Sequence, residues 1–219
     1  MKQAVWDKFC ARFNIVESCV PLFAVDSSGD VQEKFIGKNL KSVLVRSADC
    51  DAMILSVTDL LVEDWTSSGA NQFDGMLYMM GWTEAGKFVP LYIGKTETIG
   101  KGLGNLSANI TNLHRDRSKF ARWGDNYQYH IGDLSACVLS GHDESKKARK
   151  YQSWAKCLFV DGTLKLRQPV YFWATAWDKS QVGVWEEFGP TSLAFLEYLL
   201  IGVAGGISPS LLNREGLSR

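Results

Sequence analysis

Two tyrosines and one glutamate carry most of the chemistry this sequence offers. Tyr78 and Tyr92 stand fourteen residues apart, inside the apolar runs Gly75-Met76-Leu77-Tyr78-Met79-Met80 and Phe88-Val89-Pro90-Leu91-Tyr92-Ile93-Gly94. Two such runs joined through Thr83-Glu84-Ala85-Gly86-Lys87 read as the strands of a hairpin, which puts both phenols on neighbouring strands. A phenol with an ordinary pKa of about 10 is a poor base at neutral pH, and Lys95 beside the second run is positioned in sequence to lower it or to hold an anion. Glu197 is the only charged residue between Phe188 and Asn213, and helical spacing sets it among Leu193, Leu196, Leu200, Ile201 and Ala204. A carboxylate on so apolar a helix is costly unless it is paired, protonated or bound to a metal. Two readings stay open for it, a buried pair with an arginine or lysine and ligation of a hard divalent cation that needs few protein oxygens and keeps several waters.

The cations fall in two groups. Arg115, Lys119 and Arg122 recur at i, i+4 and i+7 on one helical stripe, which either tracks phosphates or is a plain solvated face. Lys146, Lys147, Arg149 and Lys150, with Tyr151 and Trp154 close by, form the densest basic patch; it is the candidate for DNA contact away from the chemistry, set against an ordinary charged helix surface. Two other patterns fail. Gly94-Lys95-Thr96 to Gly100-Lys101 has five residues between its glycines where a phosphate-binding P-loop has four, and Gly102 stands where a Ser or Thr is needed. His114, His130 and His142 are scattered without ligand spacing.

Three ordered segments resemble the GIY-YIG nuclease superfamily: Gly75-Met76-Leu77-Tyr78, then Tyr92-Ile93-Gly94-Lys95-Thr96, then Glu197-Tyr198-Leu199-Leu200-Ile201 followed by Pro209-Ser210-Leu211-Leu212-Asn213. The resemblance covers about Phe73 to Gly216 and implies an α+β fold with a central three-stranded antiparallel sheet flanked by helices. It also implies a site for one magnesium or manganese ion on Glu197, with Tyr78 as base, Tyr92 and Lys95 as positioners, and Asn213 as a support of the site or a backbone contact. A capping or turn asparagine is the plainer reading of Asn213. The chain departs from the pattern where Met76-Leu77-Tyr78 replaces Gly-Ile-Tyr and where Asn109 falls at the position of an expected arginine. Arg115 is then the first choice for that arginine and Arg122 the second, with Arg117 on another face. The implied activity is metal-dependent endonucleolytic hydrolysis of DNA, of restriction type and as a homodimer if both strands are cut. A scaffold that has lost its arginine would instead bind nucleic acid or a protein partner without cutting.

The elements that must position these residues follow from periodicity. Residues 1–70 read as an N-terminal α/β extension, with Val5, Phe9 and Phe13 on a helix and short apolar runs at Ser42 to Val45 and Met53 to Leu61. The boundary is placed in Thr66-Ser67-Ser68-Gly69-Ala70-Asn71, ahead of a domain over 71–219. In that domain a helix is expected from about Leu106 to Trp123, a strand at Ile131 to Leu139, a basic helix at Lys146 to Phe159, a strand at Pro169 to Ala176 and an apolar helix at Thr191 to Gly205. With 46% hydrophobic and 22% charged residues over 219 positions the chain can bury a sizeable core. Its 24 basic and 24 acidic residues cancel, so nucleic-acid binding has to come from local patches. Five separated cysteines without C-x-x-C pairing, no signal-peptide pattern, and an apolar Ser192 to Ile207 stretch shorter than the roughly 20 residues of a bilayer span lead to the expectation of a reduced cytoplasmic protein with no membrane contact.

Overall fold

The computed structural model describes residues 1–38, 40–67, 72–99, 104–115 and 130–214, without the side chains of residues 130–133 and 146. The helices are α1 (Lys2–Arg12), α2 (Ile15–Ser18), α3 (Ala48–Thr66), α4 (Ala108–Arg115), α5 (His130–Val138), α6 (Arg149–Leu158) and α7 (Leu193–Ala204). The strands are β1 (Val20–Pro21), β2 (Glu33–Ile36), β3 (Lys41–Leu44), β4 (Phe73–Glu84), β5 (Lys87–Glu97) and β6 (Tyr171–Asp178).

The hairpin expected around the two tyrosines is β4 and β5, closed by a two-residue turn at Ala85 and Gly86 whose φ values of 48° and 74° match the twist of the flanking strands. The main sheet is fully antiparallel but has four strands where three were expected, in the order β1-β6-β4-β5, with β2 and β3 as a separate ribbon. The additional strand, β1, pairs Val20 with Phe172 and Pro21 with Tyr171. Two residues carry no readable alternation, and a proline that lacks a ladder donor belongs on just such an edge. The expected strand at Ile131 to Leu139 is instead α5. Leu134, Ser135 and Ala136 are buried in succession and Leu139 again one turn on, as in a helix wedged in a core, and a continuous apolar run of this kind is shared by buried helices and by strands covered on both faces. The Ser135 hydroxyl holds it there by accepting a hydrogen bond from the Leu44 N–H at 3.1 Å.

Met76 to Met80 are all buried, so the sheet is covered on both faces. One cluster joins Met76, Tyr78, Met80, Tyr92 and Phe172 to residues of α3, α4, α5 and α6. The other joins Leu77, Met79, Ile93, Trp173 and Trp177 to α1 and α7. Both clusters include residues from before position 70, among them Leu61 in the first and Trp6 in the second. Trp6 also donates from its indole N–H to the Phe88 carbonyl at 2.8 Å. Ser47 caps α3 by accepting from the Cys50 N–H, with Asp49 and Asp51 in the first turn, a favourable arrangement at the positive end of a helix. None of the five cysteines is in a disulfide, and burial pushes the thiols of Cys10 and Cys50 up to about 12, which makes them packing groups rather than nucleophiles. Among the described residues no helix is long and apolar enough to cross a membrane.

Candidate active site

The hairpin register decides how the tyrosines meet. Tyr78 lies opposite Gly94 and Met80 opposite Tyr92, so the two rings are diagonal neighbours with centroids 6.3 Å apart, and their hydroxyls are hydrogen-bonded. Phe172 of β6 stacks on Tyr78 at 6.1 Å, and Trp154 of α6 lies 4.8 Å from Tyr92 and 5.4 Å from Tyr151. The result is a continuous aromatic floor across β6, β4, β5 and α6.

Gly94 makes room for it. A Cβ built there would lie 2.5 Å from both Cζ and the hydroxyl oxygen of Tyr78, so it is the hydroxyl end of that ring that crosses β5, an edge strand of the sheet. Gly75 has a related function at the start of β4, where φ is 149° and a Cβ would meet the Thr96 carbonyl and the Leu193 side chain. That close approach seats the first residue of α7 against the hairpin.

Burial, then the electrostatic influence of Tyr92, Glu197 and Tyr151, and then the hydrogen bond to Tyr92 together raise the Tyr78 hydroxyl well above the ordinary phenol value. Tyr78 is therefore a neutral phenol across the neutral range. Lys95 does not offset this. It pairs with Leu77 in the ladder and so points to the opposite face from Tyr78, Tyr92 and Gly94, with its ammonium 2.6 Å from the Glu97 carboxylate.

Glu197 is the fifth residue of α7 and is partly buried. The start of that helix is pinned twice, by Ser192 as cap of the Phe195 N–H and by the Asp74 carboxylate accepting from the Leu193 N–H at 3.1 Å. α7 packs on β5 and β4, and the glutamate carboxylate comes within electrostatic range of the Tyr78 hydroxyl at the β5 edge. Among the described residues no group of three or more His, Cys, Asp or Glu forms an all-protein cage for a metal ion. A single carboxylate could hold only a hard divalent cation that retains most of its waters.

Asn213 is 6% exposed and bonds twice to the main chain of Ile93: its Oδ1 accepts from the N–H at 2.9 Å and its Nδ2 donates to the carbonyl at 2.8 Å. The Leu212 N–H adds a bond to the Leu91 carbonyl at 2.7 Å. The chain after α7 thus covers the outer edge of β5 at the middle residue of Tyr92-Ile93-Gly94.

The cations separate. Arg115 is exposed in the last turn of α4, and Lys119, Arg117 and Arg122 lie outside the described residues. Lys146 ends the 3₁₀ turn Glu144–Lys146, its side chain outside the described set, while Lys147 pairs with Glu144 and Arg149 is exposed. Lys150 turns inward, with its ammonium 5.0 Å from the ring centre of Tyr92 and 5.6 Å from those of Tyr151 and Trp154. Sequence reasoning had put Lys150 with its basic neighbours, yet the i, i+4 spacing of Lys150 and Trp154 already set them on one face of α6. Asp74 gave no such signal. No family model, curated protein or solved structure matches the chain.

Proposed function

We propose that the chain is a divalent-metal-dependent DNA endonuclease that hydrolyses phosphodiester bonds at the β5 edge. The observation that carries this reading is the hydrogen-bonded pair Tyr78 and Tyr92, with the Tyr78 hydroxyl crossing the β5 edge under the electrostatic influence of the Glu197 carboxylate. Hydrolysis of a phosphodiester requires water to be oriented, charge on the phosphate to be offset and the leaving oxygen to be stabilised. A magnesium or manganese ion on Glu197 would supply positive charge at the phosphate. Tyr92 orients Tyr78 through their shared hydrogen bond, and Tyr78 presents its oxygen to the attacking water. Neutralising the Glu197 carboxylate with a cation would remove one influence that holds Tyr78 protonated, and so would make more accessible the phenolate, the form that can take a proton from water. Asn213 fixes the main chain between Tyr92 and Gly94, and the packed rings exclude bulk solvent from one side.

A second reading, a module that binds DNA or a protein without cutting it, is favoured by Asn109, which is exposed on α4 where the resemblance calls for an arginine, and by the exposed position of Arg115. Incubation with supercoiled plasmid separates the two. Nicked or linear product with magnesium or manganese, lost in chelator, supports the nuclease. Intact plasmid under every metal, with retained binding, supports the module. Linear product without a nicked precursor would fit a homodimer that cuts both strands in one encounter.

A further inference from the structure

We propose that the β2–β3 ribbon is a DNA-contacting arm that enters the major groove of a duplex, with Lys34 and Lys38 on its phosphates and Phe35 and Leu40 against its bases; DNA as the occupant rests on the nuclease reading above. The ribbon is built as a projection from the core. At its root Val43 and Leu44 are 1% and 2% exposed and belong to the cluster that also holds Tyr78 and Tyr92. β3 packs on α5, the Leu44 N–H donates to Ser135, and the Ser42 carbonyl lies 2.8 Å from Nε2 of His142. Toward the turn this cover ends. Lys41 and Ser42 are half-buried, while Lys34, Phe35, Lys38 and Leu40 are exposed, Phe35 to 66% and Leu40 to 69%. A two-stranded ribbon alone is marginal in water, so the anchored root is what keeps the free end in shape.

The free end has the chemistry of a duplex reader, cations beside apolar surface. Lys34, Lys38 and Lys41 fall in a stretch that has no acidic residue from position 34 to position 48. The nearest carboxylate in sequence, Glu33, accepts from the Ser42 hydroxyl across the ribbon, and strand alternation sets it on the face opposite Lys34. Because the 24 basic and 24 acidic residues of the chain cancel, a polyanion has to be held by a local patch of this kind. A major groove about 12 Å wide admits a two-stranded ribbon, and an apolar side chain finds the thymine methyl there. Leu40 adds a conformational observation. Its φ is 47°, in the left-handed region where a bulky side chain is uncommon and where glycine or asparagine turns at less cost. The exposed leucine gains no burial within the chain, so its apolar surface is left for a partner.

The test compares the full-length parent with three double variants, each checked for a cooperative melt. Lys34→Gln with Lys38→Gln removes two charges from the ribbon. Phe35→Ser with Leu40→Gly removes its apolar end, and glycine accepts the left-handed position. Lys2→Gln with Lys8→Gln removes the same charge from α1, which packs on the other face of the sheet. Duplex affinity is measured in chelator over a salt series, beside sedimentation with phosphatidylcholine–phosphatidylserine vesicles. The ribbon lysine variant should lower the slope of log affinity against log salt by about 0.9 for each charge removed. Loss of the apolar end should weaken binding about tenfold at an unchanged slope. The α1 variant should match the parent in both. An unchanged slope in the ribbon lysine variant, or an α1 variant weakened as much, overturns the proposal. So does an apolar-end variant that folds and binds within about twofold of the parent. Loss of vesicle binding without loss of duplex affinity also overturns it, and assigns the arm to a membrane surface. A parent that binds duplex without ever cutting it removes the nuclease reading and leaves these affinities to decide the arm. A parent that binds no duplex overturns both.

Discussion

The phenol of Tyr78 crosses β5 over the Cα of Gly94, and a Cβ at position 94 would lie 2.5 Å from its hydroxyl oxygen. A glycine opposite a tyrosine in an antiparallel ladder is thus the condition for the ring to reach the strand edge. Gly94→Ala should displace the Tyr78 ring and cost about 1–3 kcal/mol of stability as an overpacked site, which for a chain of this size lowers the melting temperature by about 2–4 °C per kcal/mol. In a Tyr78→Ala background the same glycine change should cost little, because the two residues act on each other directly. Melting curves of the four proteins test this, and additive costs would show that Gly94 is required for some other reason.

Glu197→Gln should abolish cleavage while leaving the fold and DNA affinity largely intact, because it removes the charge that would hold a cation and keeps shape and hydrogen-bonding capacity. If Glu197 serves as one half of a buried ion pair, the same variant loses about 3–5 kcal/mol of stability instead. Cleavage assays and a thermal melt on one preparation distinguish these outcomes, and undiminished cleavage removes the assignment.

Most of this site was legible in the sequence, because a hairpin is a local structure and its register follows from apolar runs and a short turn. Tyr78, Tyr92 and Gly94 come from one such unit. Glu197 was legible for another reason, the rarity of a lone carboxylate on an apolar helix. What stayed hidden depends on contacts between distant segments. β1 contributes two residues to the sheet, and neither Val20 nor Pro21 announces a partner at position 171 or 172. Apolar content made Ile131 to Leu139 look like a strand, but packing on α6 and β3 makes it a helix. Lys95 sat beside the motif in sequence, and strand alternation turned it to the other face.

Tyr78→Phe tests the phenol in two ways. Cleavage should fall about 10²- to 10⁴-fold with little change in binding if the hydroxyl handles the proton of the attacking water. The hydroxyl is also raised above its ordinary value by burial first and by Tyr92, Glu197 and Tyr151 after it. The folded protein therefore keeps this proton at pH values where the unfolded chain, titrating at about 10, has released it. Stability from this group is fully present below that value and is lost as pH rises beyond it. Melting temperatures of parent and variant, compared between pH 8 and 11, should show the parent losing ground to Tyr78→Phe only at the alkaline end. Parallel curves would mean that the phenol is not held protonated by its surroundings.

Asn213 offers the last test, because its two bonds to Ile93 need both a donor and an acceptor. Asn213→Ala leaves an N–H and a carbonyl of a buried strand segment without partners, at about 1–3 kcal/mol for each group that water cannot reach. Asn213→Asp is more informative. Its carboxylate can accept from the Ile93 N–H but must face the Ile93 carbonyl, acceptor against acceptor, in a site 6% exposed. At neutral pH it should therefore be no more stable than the alanine variant. The protonated carboxyl has the donor that the carbonyl requires, so folding should raise its pKa above the unfolded value of about 3.9. A group raised in this way contributes its full stability below the unfolded value and loses it as pH rises through the folded one. Lowering the pH from 7 toward 4 should then bring Asn213→Asp back toward the parent, while Asn213→Ala gains nothing relative to the parent. Cleavage measured at neutral pH should fall in both variants, since the strand they release carries Tyr92 and Gly94 on either side of Ile93. If the aspartate variant tracks the alanine variant at every pH, the paired bonds to Ile93 are not what holds the β5 edge.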